Sequence, residues 1–208
     1  SGQSDMANTT ARLPTIVLGG TGYVSGELLR LIAGHPRLEL RAVLSDSHPG
    51  EGIAKFFPHL APIYPTMSFS SLQEVRGTLG DLPQVAIISA APHGVAAKLI
   101  DEVLAAAEAK GTRARVFDIS ADYRYPTAGA YEAVYKHAHG APSRIGQFTC
   151  AVPEHLDELH TPHVAHPGCF ATAVLLASVP LLKLNLIEPE LFGHQAGNFT
   201  GPAKTRHG

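Results

Sequence analysis

The sequence predicts an open, doubly wound α/β fold with a parallel sheet, and three observations support this prediction. Short apolar segments alternate with longer segments of helical periodicity from Thr15 onward. A glycine-rich stretch, GGTG, lies between the first apolar segment and the first helical one. The chain has 208 residues, of which 45% are hydrophobic and 16% are charged, so it can bury one large domain, or one domain and part of another.

Strands and helices alternate regularly over the first 120 residues. Strands are predicted in TIVLGG (15–20), LELRAVLS (38–45), VAIISA (85–90) and ARVFDIS (114–120). Helices are predicted in SGELLRLIAG (25–34), SLQEVRGTL (71–79) and HGVAAKLIDEVLAAAEAKG (93–111). Ser70 or Ser71 is placed to cap the second helix, and Gly111 ends the third. This alternation is what a parallel sheet with crossover helices requires.

The pattern changes after residue 120. Residues 121–145 are rich in Tyr, His, Ala and Gly without a clean period, which predicts a long ordered loop of the kind that carries function. Two short strands are predicted in GQFTCAV (146–152) and HVAHP (163–167). A helix is then predicted to start at or beside Cys169 and to be interrupted by Pro180.

Composition and charge limit the class of partner. The formal net charge is −2, and no Lys/Arg cluster is interleaved with aromatic residues, so we expect a small molecule and not nucleic acid. No stretch predicts a membrane span. The two cysteines, Cys150 and Cys169, fit neither a disulfide framework nor a CxxC metal site, and free thiols favour a cytoplasmic protein.

The first twelve residues, SGQSDMANTTAR, are polar and lack the apolar segment of a signal peptide. We interpret residues 1–12 as a tag remnant and disordered N-terminus ahead of a native start near Met6. They are excluded from the predicted fold.

The glycine-rich turn LGGTGYVSGELL joins a strand to a helix, which is the context of a dinucleotide fingerprint. Gly19 is suited to the tight turn, and Gly22 lets the backbone approach a pyrophosphate at the helix N-terminus. The spacing is irregular, because Ser25 stands where a third glycine is usual and Gly26 follows it. A turn that uses glycine only for its shape is the alternative, but the flanking elements favour a Rossmann-like dinucleotide site.

Asp46 follows the second strand, twenty residues after Gly26. A carboxylate at this place binds a ribose 2′-hydroxyl and repels a 2′-phosphate, which favours NAD. Ser45 and Ser47 are alternative donors to a phosphate. An aspartate that simply points into water remains an equally good interpretation of Asp46.

Cys169 directly follows Pro-Gly and precedes a long apolar run, so it stands at the start of a predicted helix. Helix N-termini favour the nucleophilic thiolate over the thiol, which makes Cys169 a candidate nucleophile. His166, three residues earlier, is placed to add a cation or a local hydrogen bond. Cys150 lies inside the apolar FTCAV and is interpreted as an inert, buried cysteine.

Asp122 and Arg124 stand at the carboxyl end of a predicted strand, where ligands of open α/β sheets bind; an internal ion pair that shapes the loop is the alternative. His160, His163 and His166 are evenly spaced, but prolines break this stretch, so no metal site is predicted.

The order of seven motifs resembles one known family. The motifs are GGTGYVSGELLRLIAGHP, FFPHL, APHGVAAKLI, DISADYR, YEAVYKHAHGAP, VPE and HPGCFATA, and the resemblance covers about residues 13–192. In this order they closely resemble the N-acetyl-gamma-glutamyl-phosphate reductases of arginine biosynthesis, which are similar to the aspartate-semialdehyde dehydrogenases.

The resemblance implies an NADP-binding Rossmann-like domain over residues 13–165. It further implies that residues 166–208 begin an α+β domain for catalysis, substrate binding and dimerisation. Family members form homo-oligomers and are longer, with a second catalytic histidine, so the chain is expected to be truncated. The residues and the resemblance together give Cys169 as catalytic, Gly19, Thr21, Gly22, Tyr23, Val24, Ser45, Ser47, Pro92 and His93 as cofactor-binding, Arg124 and His166 as substrate-binding, and no metal ligand.

Two residues depart from the family pattern. The family usually has Ser-Arg where this chain has Ser45-Asp46, and Asn where it has His166. The expected function is NADPH-dependent reduction of N-acetyl-gamma-glutamyl phosphate to N-acetylglutamate 5-semialdehyde through a cysteine thioester, with NAD the less favoured cofactor. A non-catalytic dinucleotide-sensing domain and an aspartate-semialdehyde dehydrogenase-like enzyme are the alternatives.

Overall fold

The computed structural model describes residues 11–187 except 153, 155 and 157. Its six-stranded sheet has the order β2-β1-β3-β4-β6-β5, and every pair of neighbouring strands is parallel. The strands are β1 (Leu13–Leu18), β2 (Leu38–Leu44), β3 (Gln84–Ser89), β4 (Arg113–Asp118), β5 (Phe148–Cys150) and β6 (His163–Ala165). The helices are α1 (Tyr23–Ala33), α2 (Ile53–Phe56), α3 (Leu72–Leu79), α4 (Ala96–Ala109), α5 (Ala128–Tyr135) and α6 (Cys169–Lys183). The predicted fold class is confirmed.

The chain divides into two compact units, Ser1–Pro167 and Gly168–Gly208. In the described residues the first unit holds the whole sheet with α1–α5, and the second holds α6. The tag remnant was predicted in residues 1–12, of which the structure describes only residues 11 and 12. Residues 188–208 also lie outside the described part of the chain. No helix in the part of the chain that the structure describes is both long and apolar enough to cross a bilayer.

The sheet is covered on both faces, as a parallel sheet requires. Successive residues of β1 point to opposite faces, so each face has its own core. One core packs α3 and α4 against the sheet and includes Ile16, Leu18, Val75, Leu79 and Ile100. The other packs α1 and the segment after β2 against the sheet and includes Val17, Leu29, Ile32, Val43 and Phe57.

The predicted cap of α3 is confirmed at Ser71. Its hydroxyl accepts a hydrogen bond from the Glu74 backbone N–H at 3.3 Å, and the Glu74 carboxylate accepts one from the Ser71 backbone N–H at 2.7 Å. This reciprocal pair is a capping box, which satisfies two donors that the first turn of a helix leaves free.

The prediction of one long loop over residues 121–145 is wrong. The segment contains α5 and leads into a 3-10 helix at Pro142–Gln147. The Thr127 hydroxyl caps α5 by accepting a hydrogen bond from Ala130 N–H at 3.1 Å. Only Tyr131 of α5 is buried, so the helix has no apolar stripe from which its periodicity could be recognised.

The predicted interruption at Pro180 is also wrong, because α6 continues through it to Lys183. A proline within a helix removes one backbone donor and disfavours the residue before it, but only three residues of the helix follow Pro180. Only these three residues therefore lie beyond the hydrogen bond that Pro180 cannot form.

Arg144 ties the crossover between β4 and β5 to α4. Its guanidinium is 12% exposed and donates to Asp101 at 2.8 Å and to Glu108 at 3.0 Å. Because both carboxylates lie on one side of α4, this single cation fixes the start of the Pro142–Gln147 turn against the helix.

Two buried titratable groups lie on neighbouring strands. Burial raises the pKa of Asp118 to about 6, although Ser120 donates to the carboxylate from both its N–H and its hydroxyl. Burial lowers the pKa of His163 to about 4, and its Nδ1 accepts a hydrogen bond from Val116 N–H at 3.1 Å. In both side chains burial disfavours the charged form relative to the unfolded chain.

We predict that Asp118→Asn and His163→Asn reveal opposite pH dependences of the unfolding free energy. The raised pKa of Asp118 stabilises the fold at low pH, and this contribution is lost as pH rises from about 4 to about 6. The lowered pKa of His163 makes the fold lose stability as pH falls from 6.5 to about 4. Each effect is on the order of 3 kcal/mol at about 1.4 kcal/mol per pKa unit, so the two oppose each other in the wild type.

Urea unfolding followed by circular dichroism at a series of pH values measures this. Relative to wild type, the stability of Asp118→Asn should rise with pH over this window, and that of His163→Asn should fall. Parallel curves for the two variants would contradict the assignment.

Candidate functional site

A groove of about 360 Å³ opens at the carboxyl edge of the sheet, where the chain order reverses between β1 and β3. Ligands of open α/β sheets bind at such a reversal. The groove is lined by Gly19, Gly20, Thr21, Gly22, Leu44, Ser45, Asp46, Ser47, Ala90, Ala91, Pro92, Val95 and Leu99. The turns that follow β1, β2 and β3 therefore meet in one place.

Six of the nine predicted cofactor residues line this groove, namely Gly19, Thr21, Gly22, Ser45, Ser47 and Pro92. Tyr23, Val24 and His93 do not line it. Tyr23 is 99% exposed and lines a larger cavity, of about 940 Å³, between α1 and the segment 56–59. Val24 is half-exposed on the first turn of α1, and the His93 imidazole packs on α5.

Gly19 makes the tight turn after β1. Its φ is +87°, and a Cβ at this position would lie 2.6 Å from the backbone nitrogen of Ala91. Both facts exclude a side chain here, because the conformation disfavours L-residues and the neighbouring atoms belong to the backbone. The turns after β1 and β3 thus come into direct backbone contact.

Gly22 leaves the N-terminus of α1 open. It is the N-cap residue, no side chain caps the helix, and the first turn contains no acidic residue. A Cβ at Gly22 would meet nothing within 4 Å, so there is space for a ligand at this point. The backbone N–H groups and the helix dipole there suit a pyrophosphate, and the turn fits a dinucleotide.

The irregular spacing of the glycine-rich turn has a structural explanation. Ser25, in the usual place of a third glycine, is buried and donates its hydroxyl to the Gly19 carbonyl, which closes the turn. Gly26 takes over the packing role, because a Cβ there would lie 2.7 Å from the Phe57 ring. Ser25 therefore closes the turn, and Gly26 provides the close packing that a third glycine usually provides.

The segment after β2 carries the three residues on which the predicted cofactor preference depends. Ser45 is buried at 5% exposure, whereas Asp46 and Ser47 are exposed, and all three line the groove. No Lys or Arg is among the lining residues. The next candidate, His48, is bound by the Glu51 carboxylate at 2.8 Å.

Asp122 and Arg124 bind different partners, so the ion pair considered from the sequence is not formed. The Asp122 carboxylate is fully buried and accepts hydrogen bonds from the backbone N–H groups of Gly94 and Ala97, both at 2.9 Å. The His93 Nδ1 lies 2.7 Å from it, and the Tyr131 hydroxyl donates to it at 3.2 Å. This network was not predicted from the sequence.

Arg124 holds the segment that leads to Cys169. Its Nε donates to the His166 carbonyl at 3.0 Å, and the His166 N–H donates to the Asp118 carbonyl at 2.8 Å. Burial lowers the pKa of His166, and the nearby Arg124 guanidinium lowers it further. The two predicted substrate residues are therefore neighbours.

Cys150 is exposed, so its interpretation as a buried cysteine is wrong. It ends β5, which is an edge strand, and the apolar residues around it in the sequence do not cover it. The pKa of the Cys150 thiol is raised by partial burial, and the nearby Arg124 guanidinium offsets only part of this rise.

In the second unit, α6 begins at Cys169, and the thiol is exposed. Gly168 precedes it with φ of +110°, a conformation that favours glycine. Within the described parts of the chain, no three His, Cys, Asp or Glu side chains are grouped so as to hold a metal ion.

The parallel sheet, the open helix N-terminus and the groove at the reversal of strand order define a dinucleotide-binding domain. The chain belongs to the family described as semialdehyde dehydrogenase, NAD binding domain, whose model matches residues 15–166. This family is one of oxidoreductases, and its domain takes a pyridine nucleotide.

Curated relatives carry the names of acyl-phosphate reductases. The N-acetyl-gamma-glutamyl-phosphate reductase of Ectopseudomonas mendocina is 39% identical over 83% of this chain and 48% of its own length. That of Methanopyrus kandleri is 34% identical over 90% of this chain and 53% of its own length. The LysW-L-2-aminoadipate 6-phosphate reductase of Deinococcus radiodurans is 34% identical over 96% of this chain and 56% of its own length. The chain spans about half the length of these relatives.

Among solved structures, a Rex-family repressor matches 85% of this chain and 62% of its own at 9% identity, with a TM-score of 0.45. A similarity this weak indicates nothing about function.

We predict different effects for two glycine substitutions in the same turn. Gly19→Ala should lower the unfolding free energy by about 2 kcal/mol or more, because the methyl group meets backbone atoms at positive φ. Gly22→Ala should change it by less than about 0.5 kcal/mol, since nothing lies within 4 Å. It should nevertheless raise the Kd for NADPH about tenfold, because the methyl group blocks the approach of the pyrophosphate.

Urea unfolding and fluorescence titration with NADPH measure the two quantities. Unchanged affinity in Gly22→Ala would show that this turn does not bind the phosphates.

Proposed function

We propose that the protein reduces N-acetyl-gamma-glutamyl phosphate to N-acetylglutamate 5-semialdehyde, with NADPH as reductant, in arginine biosynthesis. The observation that carries the proposal is the nucleotide groove of a semialdehyde dehydrogenase domain in the same chain as an exposed cysteine at the first residue of a helix. The names of the relatives support an acyl phosphate as the substrate class, since each relative named above reduces one.

Cys169 is the proposed nucleophile. Its thiolate attacks the γ-acyl carbon, a thioester forms, and inorganic phosphate leaves with the electrons of the broken C–O bond. The nicotinamide, when bound, supplies the hydride that a thioester accepts more readily than a carboxylate does. The aldehyde then leaves and the Cys169 thiolate is restored. The backbone N–H groups in the first turn of α6 are suited to stabilise the oxyanion of each tetrahedral step.

Arg124 and His166 are the proposed substrate residues. Nε and Nη2 of Arg124 donate to backbone carbonyls, of His166 at 3.0 Å and of Ile119 at 3.4 Å. Nη1 forms no hydrogen bond with a described residue and is the donor that we assign to a substrate oxygen. His166 lies beside this guanidinium, and its lowered pKa favours the neutral imidazole.

The proposed cofactor is NADP, with weak discrimination against NAD. Asp46 is exposed, so water screens much of its repulsion of a 2′-phosphate. The hydroxyls of Ser45 and Ser47 are the neutral donors left to hold that phosphate, because His48 is engaged by Glu51. The lack of a cation among the lining residues is the reason for the weak discrimination.

The remaining parts of the proposal concern the whole protein. We propose a homo-oligomer in the cytoplasm that acts on a small molecule and binds neither nucleic acid nor membrane. The resemblance of the motifs and the formal net charge of −2 support this.

We predict that the purified native protein oxidises N-acetylglutamate semialdehyde when NADP⁺, which accepts the hydride, and phosphate are both present, and not with NADP⁺ alone, because phosphate must attack the thioester. Arsenate should replace phosphate for the same reason. Cys169→Ser should abolish turnover while the Kd for NADPH stays within about twofold, since a serine hydroxyl lacks the nucleophilicity of a thiolate. Absorbance at the reduced-nicotinamide band measures turnover.

Cys150→Ser is the matched control and should remain active. Turnover that needs neither phosphate nor arsenate would contradict acyl-phosphate chemistry. Loss of activity in Cys150→Ser alone would show that the nucleophile is wrongly assigned. A preference for the aminoadipate semialdehyde would move the proposal to the other substrate named among the relatives.

For the cofactor, we predict that Asp46→Arg raises the ratio of kcat/KM for NADP over NAD by about tenfold or more. The guanidinium removes the like charge and supplies a bidentate partner to the 2′-phosphate. A wild type that strongly prefers NAD would overturn the assignment of NADP. An unchanged ratio in Asp46→Arg would show that Asp46 is not beside the 2′ position.

A further inference from the structure

One wall of the groove is formed by the loop after β3 and the start of α4. Ala90, Ala91, Pro92 and Val95 line this wall, and α4 begins directly after them. Val95 is the N-cap residue of α4 and has no side chain that caps the helix. The Ala96 N–H donates to the Pro92 carbonyl at 3.0 Å, whereas the N–H groups of Ala97 and of Gly94, in the loop before the helix, need partners from elsewhere in the chain.

Asp122 supplies those partners from the segment after β4. Each carboxylate oxygen accepts one backbone hydrogen bond: Oδ1 accepts from Gly94 N–H and Oδ2 accepts from Ala97 N–H, each at 2.9 Å. These two residues lie 28 and 25 positions before Asp122 in the chain. The carboxylate thus caps α4 from a different element, and it is fully buried there.

The same carboxylate holds the loop that precedes the helix. Gly94 has φ of +81°, a turn conformation that glycine adopts readily. His93 Nδ1 lies 2.7 Å from Asp122 Oδ1, and the His93 ring packs on Tyr135 with ring centroids 4.1 Å apart. The Tyr131 hydroxyl completes the set of donors at 3.2 Å. Three hydrogen-bond donors and the His93 Nδ1, from two separate segments, converge on one side chain.

The two helices that border the groove differ in this respect. The N-terminus of α1 has no capping side chain and no acidic residue in its first turn. The N-terminus of α4 already holds a negative charge. A helix N-terminus attracts an anion, but a phosphate placed at α4 would meet the Asp122 carboxylate.

We propose that Asp122 is the positioning residue of the dinucleotide groove: its carboxylate occupies the N-terminus of α4 as an internal anion, fixes the Ala90–Val95 wall, and leaves α1 as the phosphate-binding helix. This inference rests on the proposed dinucleotide binding. Asp122 itself does not line the groove, so it acts through the loop and the helix that it holds.

Chemical rescue separates this role from a purely structural one. Asp122→Ala leaves a cavity that formate fits, with backbone donors on one side. In the 208-residue chain, Asp122→Ala should raise the Kd for NADPH about tenfold or more and lower Tm. Sodium formate should reverse most of both changes, whereas sodium chloride at the same ionic strength should not, because only formate presents two oxygens to Gly94 and Ala97.

Asp101→Ala is the matched control. Asp101 also lies on the α4 side of the sheet and forms an ion pair with Arg144, but its side chain is 42% exposed and does not line the groove. Its substitution should leave the Kd for NADPH unchanged and give no response to formate beyond that to chloride.

Asp122→Asn provides a second variant that keeps the volume of the side chain. Its amide group turns an NH₂ toward one of the two backbone donors, so NADPH should bind more weakly and formate should have no effect. In the unmodified chain, hydrogen exchange at Gly94 and Ala97 should be slow before NADPH is added, since the wall is formed in advance.

The outcomes are distinct. NADPH affinity in Asp122→Ala equal to that of wild type, or equal effects of formate and chloride, would overturn the proposal. Exchange at Gly94 and Ala97 that becomes slow only after NADPH is added would overturn it too. If the wild-type chain does not bind NADPH, the proposed function fails, while the effect of formate on the Tm of Asp122→Ala still tests the role of the carboxylate at α4.

Discussion

The backbone contact between the turns after β1 and β3 is the constraint on which the groove depends. Gly19 lies so close to Ala90 and Ala91 that a Cβ would come within 2.7 Å of their backbone atoms. The contact continues the pairing of the two strands, since the Ala90 N–H donates to the Leu18 carbonyl at 2.8 Å. The floor of the groove is consequently made of main chain, and the specificity of the site must come from its edges: the open end of α1, the end of β2 and the loop before α4.

Much of this arrangement could be predicted from local patterns in the sequence. Apolar runs of strand length predicted the positions of β1 to β4, and a serine at position 70 or 71 predicted the start of α3, because these signals depend on near neighbours in the chain. The glycine-rich turn was likewise recognised from its own residues and from the strand and helix beside it.

The features that the sequence analysis missed have no such local signal. α5 buries only Tyr131, so its apolar period is hidden, and the exposure of Cys150 follows from the position of β5 at the sheet edge.

The Asp122 network is the most informative of these misses. It joins residues 25 to 28 positions apart, and no periodicity connects them. One indirect signal was present: the helix predicted over residues 93–111 has no Ser, Thr, Asp or Asn at its start, so no side chain there was placed to cap it. A strong helix pattern without a Ser, Thr, Asp or Asn at its start is thus a reason to search for an acidic residue after the neighbouring strand.

The contact between Gly26 and Phe57 restricts which residues a homologous sequence can have at these two positions. The Phe57 ring fills the space that a Cβ at residue 26 would take, at 2.7 Å, and belongs to the core on that face of the sheet. A homologue with alanine at position 26 would need a smaller or displaced residue at position 57, so the two positions are expected to vary together during evolution. A search pattern that requires the third glycine at position 25 would overlook this chain. Here the Phe57 ring, thirty-one positions away in the sequence, requires the glycine at position 26.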